Sequence, residues 1–235
     1  EVVKGIDLEI RKGEILGIFG LVGAGQGELV ETLFGMHVPF SGTILIDGEK
    51  VNIQNPRSAI QNGILLVPGD RLLQGLIFPF NVRENITLPM LWRFRKNWLF
   101  PIPDRRKENK LVGEMITNLN IRTSGGEQNV ATLSGGNQQK VVLSKWIGYG
   151  AKVLLCNEPT LEVDVVSRRE IYRFLYDLAR QGTGIIVCSA DIEEILAISH
   201  RIGVMNHGEL VDIFPNENIT KTDILSRSCL RNETE

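Results

Sequence analysis

Cysteine is scarce, with only Cys156, Cys188 and Cys229 in a chain of 235 residues. Three cysteines cannot all pair, and the first two end the apolar runs VLLC and IIVC. They are expected to be reduced, buried thiols of a cytosolic protein. Histidine is equally rare (His37, His200, His207), and no spacing to the cysteines forms a zinc site. Charge of one sign is missing too. Lys+Arg of 26 against Asp+Glu of 28 leaves a net charge of −2, so the basic excess of a nucleic-acid binder is absent. No apolar run approaches the roughly 18 to 20 residues of a membrane-spanning helix. No signal peptide is expected at Glu1. Internal repeats and coiled-coil heptads are lacking. The Asn-x-Thr triplets at Asn85, Asn218 and Asn232 carry no glycosylation meaning in a cytosolic chain.

Hydrophobic residues make up 43% of the chain, enough to fill a core. They fall in short runs at 15–19, 64–67, 153–156, 185–188 and 202–205. Helical patterns lie between these runs, at 27–35, 106–119, 136–148, 167–180 and 191–199. That alternation predicts an α/β fold with a parallel sheet covered by helices. TILIDG at 43–48 reads instead as a hairpin turning at Asp47-Gly48. Residues 75–103 hold six of the chain's 15 aromatics, interleaved with Arg83, Arg93, Arg95 and Lys96. They suggest an inserted helical subdomain, a docking surface, or both. Pro79, Pro89, Pro101 and Pro103 break any long amphipathic helix there, which weakens a membrane-surface reading.

Three motifs carry chemistry. GLVGAGQGEL at 20–29 follows an apolar strand and opens a helix. Its Gly20, Gly23 and Gly25 suit a loop whose N–H groups cradle phosphate. Glycine is absent at Glu28, which excludes the dinucleotide fingerprint. VLLCNEPT at 153–160 is a buried strand ending in Asn157 and Glu158. Nucleotide hydrolases carry a magnesium-holding Asp at such a place. LSGGNQQK at 133–140 precedes that strand, with Ser134 as an N-cap and Gly135 and Gly136 opening a helix. The end of such a helix presents free N–H groups, a hydroxyl and about half a positive charge.

The octapeptide LSGGNQQK, with RKGEILGIFGLVGAGQGEL, VPGDRLLQGL and EPTLEVDV, resembles the ATP-binding-cassette (ABC) ATPases over nearly the whole chain. The likeness is greatest to the C-terminal nucleotide-binding domain of tandem-cassette carbohydrate importers. It implies a P-loop NTPase (RecA-like) α/β core with a parallel sheet, a small antiparallel β part and an inserted α-helical subdomain. On that basis residues 1–235 form one nucleotide-binding domain lacking its first strand, with the helical subdomain at approximately 75–145. ATP and Mg²⁺ are the implied cofactors. The implied partners are a second cassette, as the N-terminal half of the same protein, and membrane permease subunits docking near 69–103. The implied location is the cytoplasmic face of the cell membrane.

Against the family pattern the chain departs at five places. Gln26 replaces the loop Lys, and Gly27 the magnesium-binding hydroxyl. Asn157 replaces a carboxylate, Gly69 stands at the Q-loop, and Ala190 at the switch histidine. Glu158 alone keeps its chemical type. Such losses would weaken Mg-ATP on the order of two to four decades. The expectation is therefore a degenerate ATP site at Gly20, Gly23, Gly25, Gln26, Gly27 and Asn157, with Glu158 vestigial. Ser134, Gly135 and Gly136 would serve a partner's ATP in trans. The alternatives are a competent ATPase using Glu158 as base, and a non-transport member of the superfamily.

Overall fold

The computed structural model describes residues 2–37, 41–95 and 102–228. The strands are β1 (Ile15–Gly20), β2 (Ile44–Ile46), β3 (Glu49–Val51), β4 (Ile64–Val67), β5 (Val153–Asn157), β6 (Gly184–Ser189), β7 (Arg201–Asn206) and β8 (Glu209–Pro215). The helices are α1 (Gln26–Leu33), α2 (Pro56–Gln61), α3 (Val82–Thr87), α4 (Arg105–Asn118), α5 (Gly135–Ile147), α6 (Val165–Arg180), α7 (Ile192–Ile198) and α8 (Lys221–Ser228). They belong to two compact units. One comprises Glu1–Gly69, Ala151–Pro159 and Leu175–Glu235, and the other Asp70–Gly150 and Thr160–Phe174.

The first unit is built on a six-stranded sheet in the order β4-β5-β6-β1-β7-β8. Its first five strands run parallel, and β8 pairs antiparallel to β7. Strands β1, β4 and β6 are buried along their whole length, which explains why they read as unbroken apolar runs. Register places Phe19 beside Ser189 and Asn157 beside Cys188. The carboxyl ends of β1, β5 and β6 therefore lie side by side, where open α/β sheets carry their ligands. Cys156 and Cys188 are free thiols in the core, and burial pushes the Cys188 pKa well above its ordinary value. Cys229 and Asn232 lie outside the described residues.

The β2–β3 hairpin turns as its sequence predicts, with positive φ at both Asp47 (53°) and Gly48 (83°). Lys12 and Lys152 both reach the Asp47 carboxylate, at 2.7 and 2.8 Å. Their hydrogen bonds hold its pKa at about 2.

The second unit is helical and includes α3, α4, α5 and the start of α6. Arg83 is only 4% exposed. Its Nε donates to Glu127 at 2.7 Å, and Glu84 and Glu108 flank it. It thus belongs to the interior of this unit and not to an aromatic–arginine surface. Arg93 does stay outside, stacked on Trp92 and Tyr149. Lys96, Trp98, Phe100 and Pro101 lie outside the described residues.

Candidate functional site

The glycine loop joins the end of β1 to α1. Gly23 (φ 85°) and Gly25 (φ 103°) hold left-handed conformations that bend the chain back on itself. A Cβ on Gly25 would also come within 3.1 Å of the Gly208 backbone, so only glycine fits there. Gly208 donates its N–H to the Ala24 carbonyl at 2.8 Å, bracing the loop from behind. No side chain caps α1, which leaves its first N–H groups available to an anion.

Gln26 folds back into the loop and is 7% exposed. Its Nε2 donates to the carbonyls of Gly20 (2.9 Å) and Leu21 (3.4 Å), while its Oε1 is buried with no hydrogen-bond partner. The Gln26 donor is therefore spent on the loop itself.

At the end of β5, Asn157 lies against two glycines. A Cβ on Gly27 would stand 3.2 Å from Asn157 Nδ2, and a Cβ on Gly69 would stand 3.2 Å from the same atom. Three positions far apart in the sequence, Gly27, Gly69 and Asn157, thus meet at one amide. Glu158 follows, in a left-handed conformation (φ 45°). Ser189 Oγ donates to its Oε2 at 2.9 Å, and the Ala190 N–H donates to its Oε1 at 2.7 Å. Both carboxylate oxygens are engaged at the end of β6.

In the helical unit, Ser134 is the residue before α5, as its sequence predicts, but its side chain makes no capping bond. Instead its exposed hydroxyl accepts from Asn137 Nδ2 at 2.8 Å. Gly135 and Gly136 have a packing reason beyond any ligand. A Cβ on Gly135 would lie 3.0 Å from Arg71 Nη2. One on Gly136 would lie 2.4 Å from Ser167 Oγ and 2.9 Å from Asp164 Oδ2. Arg71 donates to the Leu161 carbonyl (3.0 Å) and pairs with Glu162 (3.3 Å), which sets a guanidinium beside the start of α5.

The polar tail of the octapeptide points inward. Asn137 accepts from the Arg122 N–H at 2.8 Å, and Gln138 donates to the Val130 carbonyl at 3.3 Å. Lys140, 1% exposed, reaches the Asn120 carbonyl and the Glu170 carboxylate. That lysine is the main cause holding the Glu170 pKa below the usual carboxylate range. NQQK therefore seats the helix, and Ser134 is the part left open to a ligand. Ser167, Asp164, Arg71 and Ser189 were not singled out from sequence. Arg71 and Asp164 lie in the VPGDRLLQGL and EPTLEVDV stretches, Ser167 opens the helical pattern at 167–180, and Ser189 ends β6.

The ABC transporter family profile matches residues 3–161. The chain belongs to the ABC transporter family. Among its ABC relatives is the ribose import ATP-binding protein RbsA of Lactococcus lactis subsp. lactis (strain IL1403). It is 43% identical over 225 residues, covering 96% of this chain and 45% of the relative. The protein of the same name from Halalkalibacterium halodurans is 42% identical over 221 residues, covering 94% of this chain and 44% of the relative. The chain thus spans about half the length of the curated relatives it matches.

Solved ABC structures share the fold. A nucleotide-free ATP-binding cassette from an ABC transporter superposes with a TM-score of 0.80 at 17% identity, covering 96% of this chain and 89% of the other. A dimeric cassette in a post-hydrolysis state, bound to ADP and phosphate, gives 0.77 at 21% identity, covering 93% and 92%. Among the described residues, no helix is long and apolar enough to cross a membrane.

Proposed function

We propose that this chain is the nucleotide-binding domain of a sugar-type ABC importer whose own ATP site is silent and whose signature helix completes a partner's site. The import role rests on the 42–43% identity, over nearly the whole chain, to ribose import ATP-binding proteins. The division of labour rests on the contrast between the two constellations.

At the chain's own loop, the donors do not fit Mg²⁺. Magnesium prefers carboxylate, phosphate and water oxygens in octahedral array. Gly27 and Gly69 offer no side-chain oxygen, and position 157 offers a single neutral amide oxygen where a magnesium site favours an anionic carboxylate. Hydrogen bonds from Ser189 and Ala190 hold the Glu158 carboxylate at the end of β6. In the signature helix nothing comparable is lost. Ser134 is exposed, Gly136 is packed on Asp164 and Ser167, and Arg71 adds positive charge beside the helix start. The N–H groups and dipole of α5 then stabilise negative charge on a terminal phosphate that another cassette holds. The metal at that site is the partner's to bind.

The proposed partners are that second cassette and permease subunits that dock on the helical unit near 69–103, at the cytoplasmic face of the membrane. No nucleic-acid partner is proposed.

The test compares ATP turnover of this chain alone with that of its complex with the partner cassette. The chain alone should show none. In the complex, Ser134→Ala should lower turnover about 10²-fold, the scale of one lost transition-state donor. Glu158→Gln should leave that turnover unchanged. Turnover by the isolated chain that Glu158→Gln abolishes would sink the proposal.

A further inference from the structure

The misfit of Mg²⁺ has a geometric core, and it carries a statement about the ligand. Asn157 Nδ2 stands 3.2 Å from the Cβ position of residue 27 and 3.2 Å from that of residue 69. A side chain at either glycine would crowd the amide, since 3.2 Å is tighter than ordinary carbon–nitrogen packing and the amide would have to give by a few tenths of an ångström. The three residues therefore form one interlocked set. The amide fills the place from which a hydroxyl at 27 and a carboxylate at 157 would otherwise reach a cation.

An amide also reverses the electrostatic demand of that place. A carboxylate facing a polyphosphate repels it unless a cation sits between them. An amide N–H₂ needs no cation, because it donates directly to a phosphate oxygen, and a donor to a charged acceptor makes the stronger class of hydrogen bond. The left-handed glycines of the loop and the open first turn of α1 still supply N–H groups to the same anion. Gln26 cannot bring a second donor, since its Nε2 is bound to Gly20 and Leu21.

We propose that Asn157, locked between Gly27 and Gly69, excludes a divalent cation from this site, and that the site takes a nucleoside polyphosphate in its metal-free form with Asn157 donating to it. This rests on the reading of the chain's own site as silent, and goes beyond it by fixing the ionic form of the ligand.

The experiment measures equilibrium binding of ATP to the purified protein by calorimetry, once in EDTA and once with excess Mg²⁺. Because excess Mg²⁺ sequesters nearly all free ATP, apparent binding should be at least about tenfold weaker with the metal than in EDTA. Asn157→Ala should weaken binding in EDTA by about tenfold, the effect of one hydrogen bond to a charged group. A thermal melt of that variant checks its fold. Asn157→Asp should reverse the sign, so that Mg²⁺ tightens binding. Binding of ATP to the wild type that is equally tight or tighter with Mg²⁺ than in EDTA would overturn the proposal. So would no binding at millimolar ATP in either buffer, or an Asn157→Ala variant that binds as the wild type does. Metal-tightened binding without turnover would overturn this inference while leaving the silent-site reading standing. Turnover that needs Glu158 would remove the reading itself.

Discussion

A methyl group at position 136 would lie 2.4 Å from the Ser167 hydroxyl and 2.5 Å from its Cβ. Gly136→Ala should therefore destabilise the protein by about 1–3 kcal/mol, the usual cost of overpacking, read as a lower urea midpoint. The glycine serves packing first, so a bulky variant there confounds lost folding with lost signature chemistry. Ser134→Ala is the cleaner probe, since that hydroxyl is exposed and holds only Asn137. Sequence singled out Gly20, Gly23, Gly25, Gln26, Gly27 and Asn157, because the resemblance assigns each place a chemistry. It could not show that Gln26 spends its amide on the loop, or that Ser189 and Ala190 occupy Glu158. Those are contacts between segments about thirty residues apart or folded back on themselves, and no periodicity encodes them.

Elements were legible to the degree that burial was one-sided or complete. The five parallel strands are runs of apolar residues because both faces are covered, and each was readable as such. The edge strand β8 escaped, since ELVDIFP is mostly half-exposed and mixes charge with apolar residues. Short helices such as α2, a six-residue segment stabilised by an Asn55–Ser58 capping box and Pro56, also give too little periodicity to read. Helix α5 hides a pH-dependent cost. Lys145 is buried, its Nζ donating to the Gly75 carbonyl, and burial pulls its pKa from 10.5 down to about 8. Between pH 8 and about 10.5 the unfolded chain keeps a proton that the folded chain has released. Stability should therefore rise with pH across that window, by up to about 1.4 kcal/mol per unit, and show no such slope below pH 8. Urea midpoints from pH 7 to about 9.5, with Lys145→Met as the reference lacking this slope, check the sign.

At the scale of the whole molecule, the helical unit offers apolar side chains that its own core does not use. Leu73 is 85% exposed and Trp92 53% exposed. Interfaces favour such residues at their centres, especially where Arg93 stacks on the indole. Replacing Leu73 by Asp and Trp92 by Ala should cost the isolated protein under about 0.5 kcal/mol. Co-purification with the proposed permease partners should fall at least about tenfold. Unchanged co-purification would place the docking surface elsewhere.

The lock formed by Gly27, Gly69 and Asn157 also bears on descent. Restoring an oxygen at 27 or 69 alone meets the amide before it meets a metal. Each first step back is penalised by crowding, and the gain arrives only when several positions change together. On the proposed reading the geometry would work as a ratchet, favouring refinement of the signature helix over a return to hydrolysis at the chain's own site.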